Sequence, residues 1–453
     1  MKFGIRNFRC FANVPPIDIR PITILVGENS TGKTSFLAGF RFINELFQRG
    51  TNPSFNKDPY SLGSFKEIAH FRGGRAGRAG ELSFFLKVSV RAARFMRTRA
   101  ATDDEERSRE VDIELTLSEV DVQPIASLVK ITSGGYSVSI RFHERAEISY
   151  KTPNMRTARA LSDEIRLPSS YNAANLNAVS FLVRDFRYIV SSRVVRRQEL
   201  TETVDERELY LLEGIIQALV TSFPESIFAG APVRTKPART YDNIEAAPSP
   251  EGSHIPYLLA RLKAFRSNDW QQLRDRLIEF GDASGLFQNI DVKRFVAAPG
   301  SPFQISVNVG GPASNLVDVG YGVSQSLPVV VETLQAPRGS LFLLQQPEVH
   351  LHPRAQAALG TYLANVSKQR RHTILIETHS DHLLDRIRMD VRDKKGIRAE
   401  DVSILFFHRD GLDVKVHQLT FDEQGNIIDA PVGYRQFFLE EQLRSIDPDV
   451  HNN

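Results

Sequence analysis

An α/β fold is predicted, with a mixed sheet flanked by helices, an antiparallel β subdomain and a mainly helical insertion. Three observations predict it. First, residues 21–27 (PITILVG) form a β-branched apolar run ending in glycine, and 34–48 (TSFLAGFRFINELFQ) then carry apolar residues at helical spacing. Second, ELSFFLKVSV (81–90), VDIELTL (111–117) and YSVSIRF (136–142) alternate as antiparallel strands do. Third, short strands and helices return after residue 290, in FQISVNVGG, SLFLLQQ, RHTILIETH, DVSILFFHRD and LDVKVHQLTF. Between these regions, roughly 155–290, the chain reads mainly as helix: RELYLLEGIIQALVTSF and HIPYLLARLKAFRSNDWQQLRDRLIEFG are amphipathic. The Pro/Ala/Gly-rich connector between those two stretches, FAGAPVRTKPARTYDNIEAAPSPEGS, is expected to be loop. This divides the chain into 1–150, an insertion over 151–290, and 291–453.

Composition excludes several classes. Of 453 residues, 41% are hydrophobic and 25% charged, and no run approaches the ~20 apolar residues of a membrane span. The start, MKFGIRNFRCFANV, is too charged for a signal peptide. A single cysteine, Cys10, rules out an internal disulfide framework and a Cys-based zinc site, and a reducing cytoplasm is the simplest home. Net charge is only +3, but nine basic residues from Lys66 to Arg99 face two acidic ones, Glu67 and Glu81. That stretch reads as either a solvated basic face or a surface for a polyanion such as DNA. The acidic run DDEER (103–107) follows it. There is no internal repeat and no long heptad run.

The strongest chemical signal is GENSTGKTS (27–35), a G-x4-G-K-[ST] motif with an apolar strand leading in and a helix leading out. Gly27 and Gly32 let the backbone wrap phosphates, and the amides around Asn29, Ser30, Thr31 and Ser35 at the helix start point at the anion. Lys33 neutralises the β- and γ-phosphates, and the Thr34 hydroxyl ligates Mg²⁺. ATP and Mg²⁺ are the expected cofactors.

Three further pieces lie about three hundred residues downstream. SLFLLQQPE is an apolar strand ending in polar residues, where a Mg²⁺-coordinating side chain belongs. RHTILIETHS is a second such strand, with His379 just past its end, placed to touch a γ-phosphate. VGYGVSQSLP (319–328) is a glycine-containing turn, with Gly322 and Ser324, followed by a helix, and its N–H groups and hydroxyl suit a phosphate.

A P-loop near the N-terminus, then GYGVSQ, LLQQPEVHLHP and ETHSDHLL, resembles the ABC-type ATPases of the SMC/RecF/OLD group. The likeness is closest to the compact AAA-type members whose hydrolysis strand reads Gln-Pro-Glu-x-His-Leu-His-Pro, and it covers about 1–150 and 290–440. It implies an ABC-ATPase head. Ser324 stands at the signature position, where it completes the site of a second subunit, so a homodimer or higher oligomer with ATP sandwiched between heads is implied. VHLHP stands at the D-loop, with His352 near the dimer axis, and His379 is the switch histidine. Position 345 is the metal-binding acid of the group and position 346 its general base.

Here both are glutamine. A neutral amide still hydrogen-bonds water but cannot accept a proton, so binding should survive while hydrolysis suffers. Natural loss of turnover and an acid-to-amide change at 345 that holds the ATP state are both open. Glu348 remains as a nearby carboxylate.

One cysteine excludes the zinc-hook ATPases. The ~75 residues after His379 are too few for the Toprim nuclease domain of OLD enzymes. The signature lies too far from the P-loop for a transporter ATPase. Two functional classes survive. One is the sensor or scaffold subunit of an anti-phage defence complex, resembling the ATPases of Septu, PARIS or retron modules, that controls a separate nuclease or toxin effector. The other is a RecF-like clamp that dimerises on DNA with ATP.

Overall fold

The computed structural model describes residues 1–48, 53–91, 108–142, 146–155, 157–165, 206–242, 247–296 and 301–431, together with Leu176, Val179, Val183 and Tyr434. Arg94, Arg97, Arg99, the acidic run 103–107 and the segment FFLEEQLRSI (437–446) lie outside the described residues.

The expected strand after Pro21 is Ile22–Gly27 (β1), and the helix that follows is Lys33–Phe47 (α1). The remaining elements of the central sheet are Ile227–Gly230 (β2), Leu341–Gln345 (β3), Thr373–Glu377 (β4), Val402–Asp410 (β5) and Asp413–Phe421 (β6). Three helices pack among them: Tyr321–Gln335 (α2), Pro353–Arg370 (α3) and Asp381–Arg392 (α4). The sheet order is β2-β3-β4-β1-β5-β6, closed by the short strand Ile427–Ile428. The first five strands run parallel, so their C-terminal ends share one rim of the sheet. Only β6 and the short strand run antiparallel to their neighbours.

Parallel strands buried on both faces read as near-continuous apolar runs, and the core confirms it. Ile22, Ile24, Phe342, Leu344, Ile374 and Ile376 belong to the core on one face, beneath α2, α3 and α4. Leu25, Leu341, Leu343 and Leu375 belong to the core on the other, beneath α1. Each such side chain contributes about 1.5–3 kcal/mol on burial.

Helix α1 is buried along nearly its whole length because it lies between two sheets. The second sheet has eight antiparallel strands, and the N-terminal hairpin Lys2–Phe8 and Phe11–Asp18 forms one edge of it. Phe36 and Phe40 of α1 meet Phe3 edge-on at 5.2 and 5.1 Å, and Phe84 lies 5.2 Å from Phe8 and 5.7 Å from Phe42. The hairpin also clips to the central sheet: Ala12 N donates to Asp413 Oδ1 (2.7 Å) and Val414 N to the Cys10 carbonyl (2.9 Å).

Two expectations about the middle need correction. The antiparallel sheet runs on through Ala146–Lys151 and Arg159–Ile165, beyond the start of the expected helical stretch. The connector opens not as loop but as β2, whose backbone pairs with β3 in register from Ile227↔Leu341 to Gly230↔Leu344. The helices Glu206–Ser222, Ile255–Phe265 and Ser267–Ser284 form as the amphipathic pattern predicts. Among the described residues, no helix is long and apolar enough to cross a membrane.

Part of the basic stretch is described. Lys87 pairs with Asp112 at 2.8 Å, and Lys66 lies 3.9 Å from Glu119. Arg78 donates to the Ala69 carbonyl (2.8 Å) beneath the ring of Phe71.

Candidate nucleotide site

The loop 27–32 turns where only glycine fits. Gly27 has φ 141°, and a Cβ there would come within 2.4 Å of the Phe407 carbonyl oxygen. Gly32, at φ 87°, caps α1, and a Cβ there would lie 2.2 Å from Cys10 Sγ and 2.9 Å from the Phe11 ring. Glu28, Asn29 and Ser30 are exposed at the lip, while Thr31 is buried with its hydroxyl donating to the Glu28 carbonyl (2.8 Å). Ser35 is buried in the first turn of α1. Lys33 Nζ donates to the carbonyls of Gly27 (3.0 Å) and Glu28 (2.7 Å), so the ammonium lies inside the loop. Burial lowers its pKa, opposed by the charges of Glu377 and Glu28. The parts suit a triphosphate: a glycine cradle with no room for a Cβ, a helix N-terminus and a cation lodged between them.

The neighbouring strand ends converge on that loop. Gln345 ends β3 and Glu377 ends β4, side by side in parallel register. Thr34 Oγ1 donates to the Glu377 carboxylate, 2.9 Å from Oε2 and 3.2 Å from Oε1. Burial pushes the Glu377 carboxyl above the usual carboxylate range, opposed by the Thr34 hydrogen bond and by Lys33. A hydroxyl beside a carboxylate is an oxygen donor set of the kind Mg²⁺ takes. Gln345 is buried beside Tyr60, and its Nε2 finds no hydrogen bond of good geometry. Gln346 follows in the left-handed region (φ 42°), its N–H donating to the Glu377 carbonyl (2.7 Å).

His379 is exposed one residue past the Thr378 turn. Partial burial lowers its pKa, helped by the positive charge of Lys33, which favours neutral imidazole. Glu348 holds this turn: its Oε1 accepts from Thr378 Oγ1 (2.7 Å) and from His379 N (3.0 Å). Ser380 caps α4 by accepting from Leu383 N (3.0 Å), and its hydroxyl donates to Gln356 Oε1 of α3.

Gly322, Ser324 and His352 form a separate group. Helix α2 starts at Tyr321 with Gly320 as its cap, so Gly322 and Ser324 lie in its first turns rather than in a preceding loop. Ser324 is buried and donates to the Tyr321 carbonyl (2.9 Å). Gly322 packs against the turn before α3: a Cβ there would lie 3.3 Å from the His350 carbonyl oxygen. His352 is exposed and precedes Pro353 at the start of α3. Within one chain, no hydrogen bond among the described residues joins this group to the P-loop.

Three residues at or near the site escape sequence reasoning. Glu377 opens ETHS, where sequence alone gives it no partner. Tyr60 reaches Gln345 from a short hairpin that the buried pair Arg41–Glu45 (2.8 Å) anchors through bonds from Arg41 to the carbonyls of Lys57 and Asp58. Arg234, in the connector, is 4% exposed, and neither terminal nitrogen has a partner among the described residues. Burial lowers its pKa to about 10, opposed by the charges of Glu348 and Glu332. A carboxylate at the C-terminal end of a buried strand is a signal that could have found the first. Nothing local marks the other two.

A glycine cradle, an inward lysine, a threonine hydroxyl and converging strand ends define a P-loop nucleotide site. Two family models match this chain. One, described as "AAA ATPase domain", covers residues 1–186, and the other, described as "AAA domain, putative AbiEii toxin, Type IV TA system", covers residues 241–385. The first takes in the P-loop and the second takes in α2, β3 and His379. Residues 1–186 and 241–385 are thus each similar to an AAA-type domain model. No curated protein matches the chain. Solved structures similar to it include the Smc head bound to the C-winged helix domain of ScpA, with 11% identity, 92% of this chain and 97% of that one covered, and a TM-score of 0.45. The Smc head with an extended coiled coil bound to the C-terminal domain of ScpA, from Pyrococcus furiosus, has 11% identity, 99% and 98% coverage, and a TM-score of 0.41. The SMC head of Thermotoga maritima has 11% identity, 92% and 97% coverage, and a TM-score of 0.35.

Proposed function

We propose that this chain binds ATP with Mg²⁺ as the sensor or scaffold subunit of a bacterial anti-phage defence complex, and that it controls a separate nuclease or toxin effector. The observation that carries the ATP reading is a loop with no room for a Cβ at Gly27 and Gly32, holding Lys33 Nζ inside it and setting the Thr34 hydroxyl on the Glu377 carboxylate. The defence setting is supported by the match of residues 241–385 to a family described by a toxin and a toxin–antitoxin system. In this reading the two end regions form most of the head, and the largely helical middle adds strand β2 to its central sheet. Lys33 and the loop amides hold the phosphates, and Thr34 faces the metal. When bound, Mg²⁺ screens charge between the β- and γ-phosphates. Neutral His379 donates a hydrogen bond toward the γ-phosphate. Gln346 positions water without taking its proton, so turnover is slow.

Two heads face each other across two ATPs, with Gly322 and Ser324 of each approaching the nucleotide held by the other and His352 near the axis. The test is mass photometry with ATP. Ser324→Arg blocks the dimer while calorimetry still registers ATP binding, and an unchanged dimer overturns the role of Ser324. Co-expression with the products of the flanking genes tests the effector. A nuclease or toxin that co-purifies with the chain and is released by a phage trigger supports the proposal. ATP-dependent binding to gapped DNA with no such partner favours the RecF-like clamp instead.

A further inference from the structure

The hydrolysis strand lacks a carboxylate where a divalent cation needs one, yet a carboxylate is present one strand away. Glu377 ends β4, which lies between the hydrolysis strand β3 and the P-loop strand β1. Its register partners are Gln345 on one side and Leu25 on the other, so it sits between the two motifs that normally share the metal. Both carboxylate oxygens lie within hydrogen-bond distance of Thr34 Oγ1, at 2.9 and 3.2 Å. Gln345 is poorly suited to the same task. Only its amide oxygen could face a cation, and its Nε2 is buried without a good acceptor. Glu348 is committed elsewhere, its Oε1 held by Thr378 and His379 N–H.

We propose that Glu377, and not residue 345, supplies the carboxylate that holds the divalent cation beside Thr34, so that the chain keeps metal-dependent nucleotide binding with a neutral hydrolysis strand. This rests on the ATP reading above. With the cation bound, the Thr34 hydroxyl would keep its proton and turn it away from Glu377, so that Oγ1 could offer a lone pair and Glu377 could ligate directly or through one water. The Thr34–Glu377 hydrogen bond is the form that pre-positions both ligands before metal arrives. Lys33 sits close enough for its charge to act on Glu377, and it is drawn to the phosphates once nucleotide fills the loop.

The test is ATP titrated calorimetrically into the full chain in Mg²⁺ and in EDTA, with bound Mn²⁺ counted by electron paramagnetic resonance in the presence of ATP. Glu377→Gln is nearly isosteric, so the fold is kept, and circular dichroism checks it. The variant is expected to lower Mn²⁺ affinity by at least about tenfold and to erase the gain that Mg²⁺ gives ATP binding, while affinity in EDTA is unchanged or higher. Gln345→Ala should leave the Mg²⁺ gain in place. The exchange variant Gln345→Glu/Glu377→Gln, which moves the carboxylate one strand over, should restore Mn²⁺ binding. Full Mg²⁺ dependence in Glu377→Gln overturns the inference, as does its loss in Gln345→Ala. Failure of the unmodified chain to bind ATP in either buffer overturns the ATP reading itself, whereas ATP binding that ignores Mg²⁺ overturns only the role of Glu377.

Discussion

The two large sheets of this molecule bury similar apolar side chains and divide the work between them. The antiparallel sheet presents one face to α1 and packs its phenylalanines there, and its described charged groups sit in exposed pairs such as Lys87–Asp112. The parallel strands of the central sheet are largely buried on both faces, so their charged and amide side chains gather at the C-terminal ends, and the shared direction brings those ends to one rim. Gly27, Gln345 and Glu377 all stand there. A sheet wet on one side can spread its polar residues, but a sheet covered on both sides collects them. Collection is what builds the site.

If this division is real, stability and nucleotide binding separate by sheet. Phe84→Ala empties the centre of the aromatic cluster and should cost about 3–5 kcal/mol in chemical denaturation. ATP affinity measured well below the melting temperature should not move. A loss of affinity at full folding would show that the antiparallel sheet shapes the loop directly. Lys33→Ala is the converse. It should lower ATP affinity by about 100-fold in calorimetry while costing less stability than Phe84→Ala. Unchanged affinity would sink the P-loop assignment.

Gln346→Glu adds a proton acceptor on the rim and should raise turnover about 10²-fold in a phosphate-release assay, with stability little changed. No gain would place the missing chemistry elsewhere. The smallest effect is at His379. Its pKa should lie below the ordinary value of about 6.5 in a histidine NMR titration, and Lys33→Ala should raise it only part of the way, because burial is the larger cause. The sign is that of a depressed histidine. The folded state holds fewer protons than the unfolded one, so this group begins to cost stability as pH falls below about 6.5.

How much of this was legible follows from the reach of each interaction. The P-loop turn, β1 and α1 are local: glycines at fixed offsets, a β-branched run and helical spacing specify them, and they form where predicted. The ends of β3 and β4 were legible as apolar runs closing on polar residues. Strand Ile227–Gly230 was not. Its residues, Ile-Phe-Ala-Gly, sit beside a Pro/Gly-rich tract, and pairing with β3 rather than propensity makes it a strand. Arg234 reads as any connector arginine because its burial is a matter of tertiary packing, and Glu348, whose charge acts on it, is more than a hundred residues away. Glu377 is illegible for a similar reason. Its meaning is the Thr34 hydroxyl, and no window of sequence contains both.

That separation has a consequence in time. Thr34 and Glu377 are 343 residues apart in the chain. At ribosomal rates of about 5–20 residues per second, the P-loop waits about 20–70 s for the strand that completes it. A nascent chain therefore carries a recognisable phosphate loop long before it can hold a metal beside it. Any product truncated before β4 keeps the motif and lacks the clasp. Competence to bind metal-bound nucleotide thus reports that synthesis has passed residue 377.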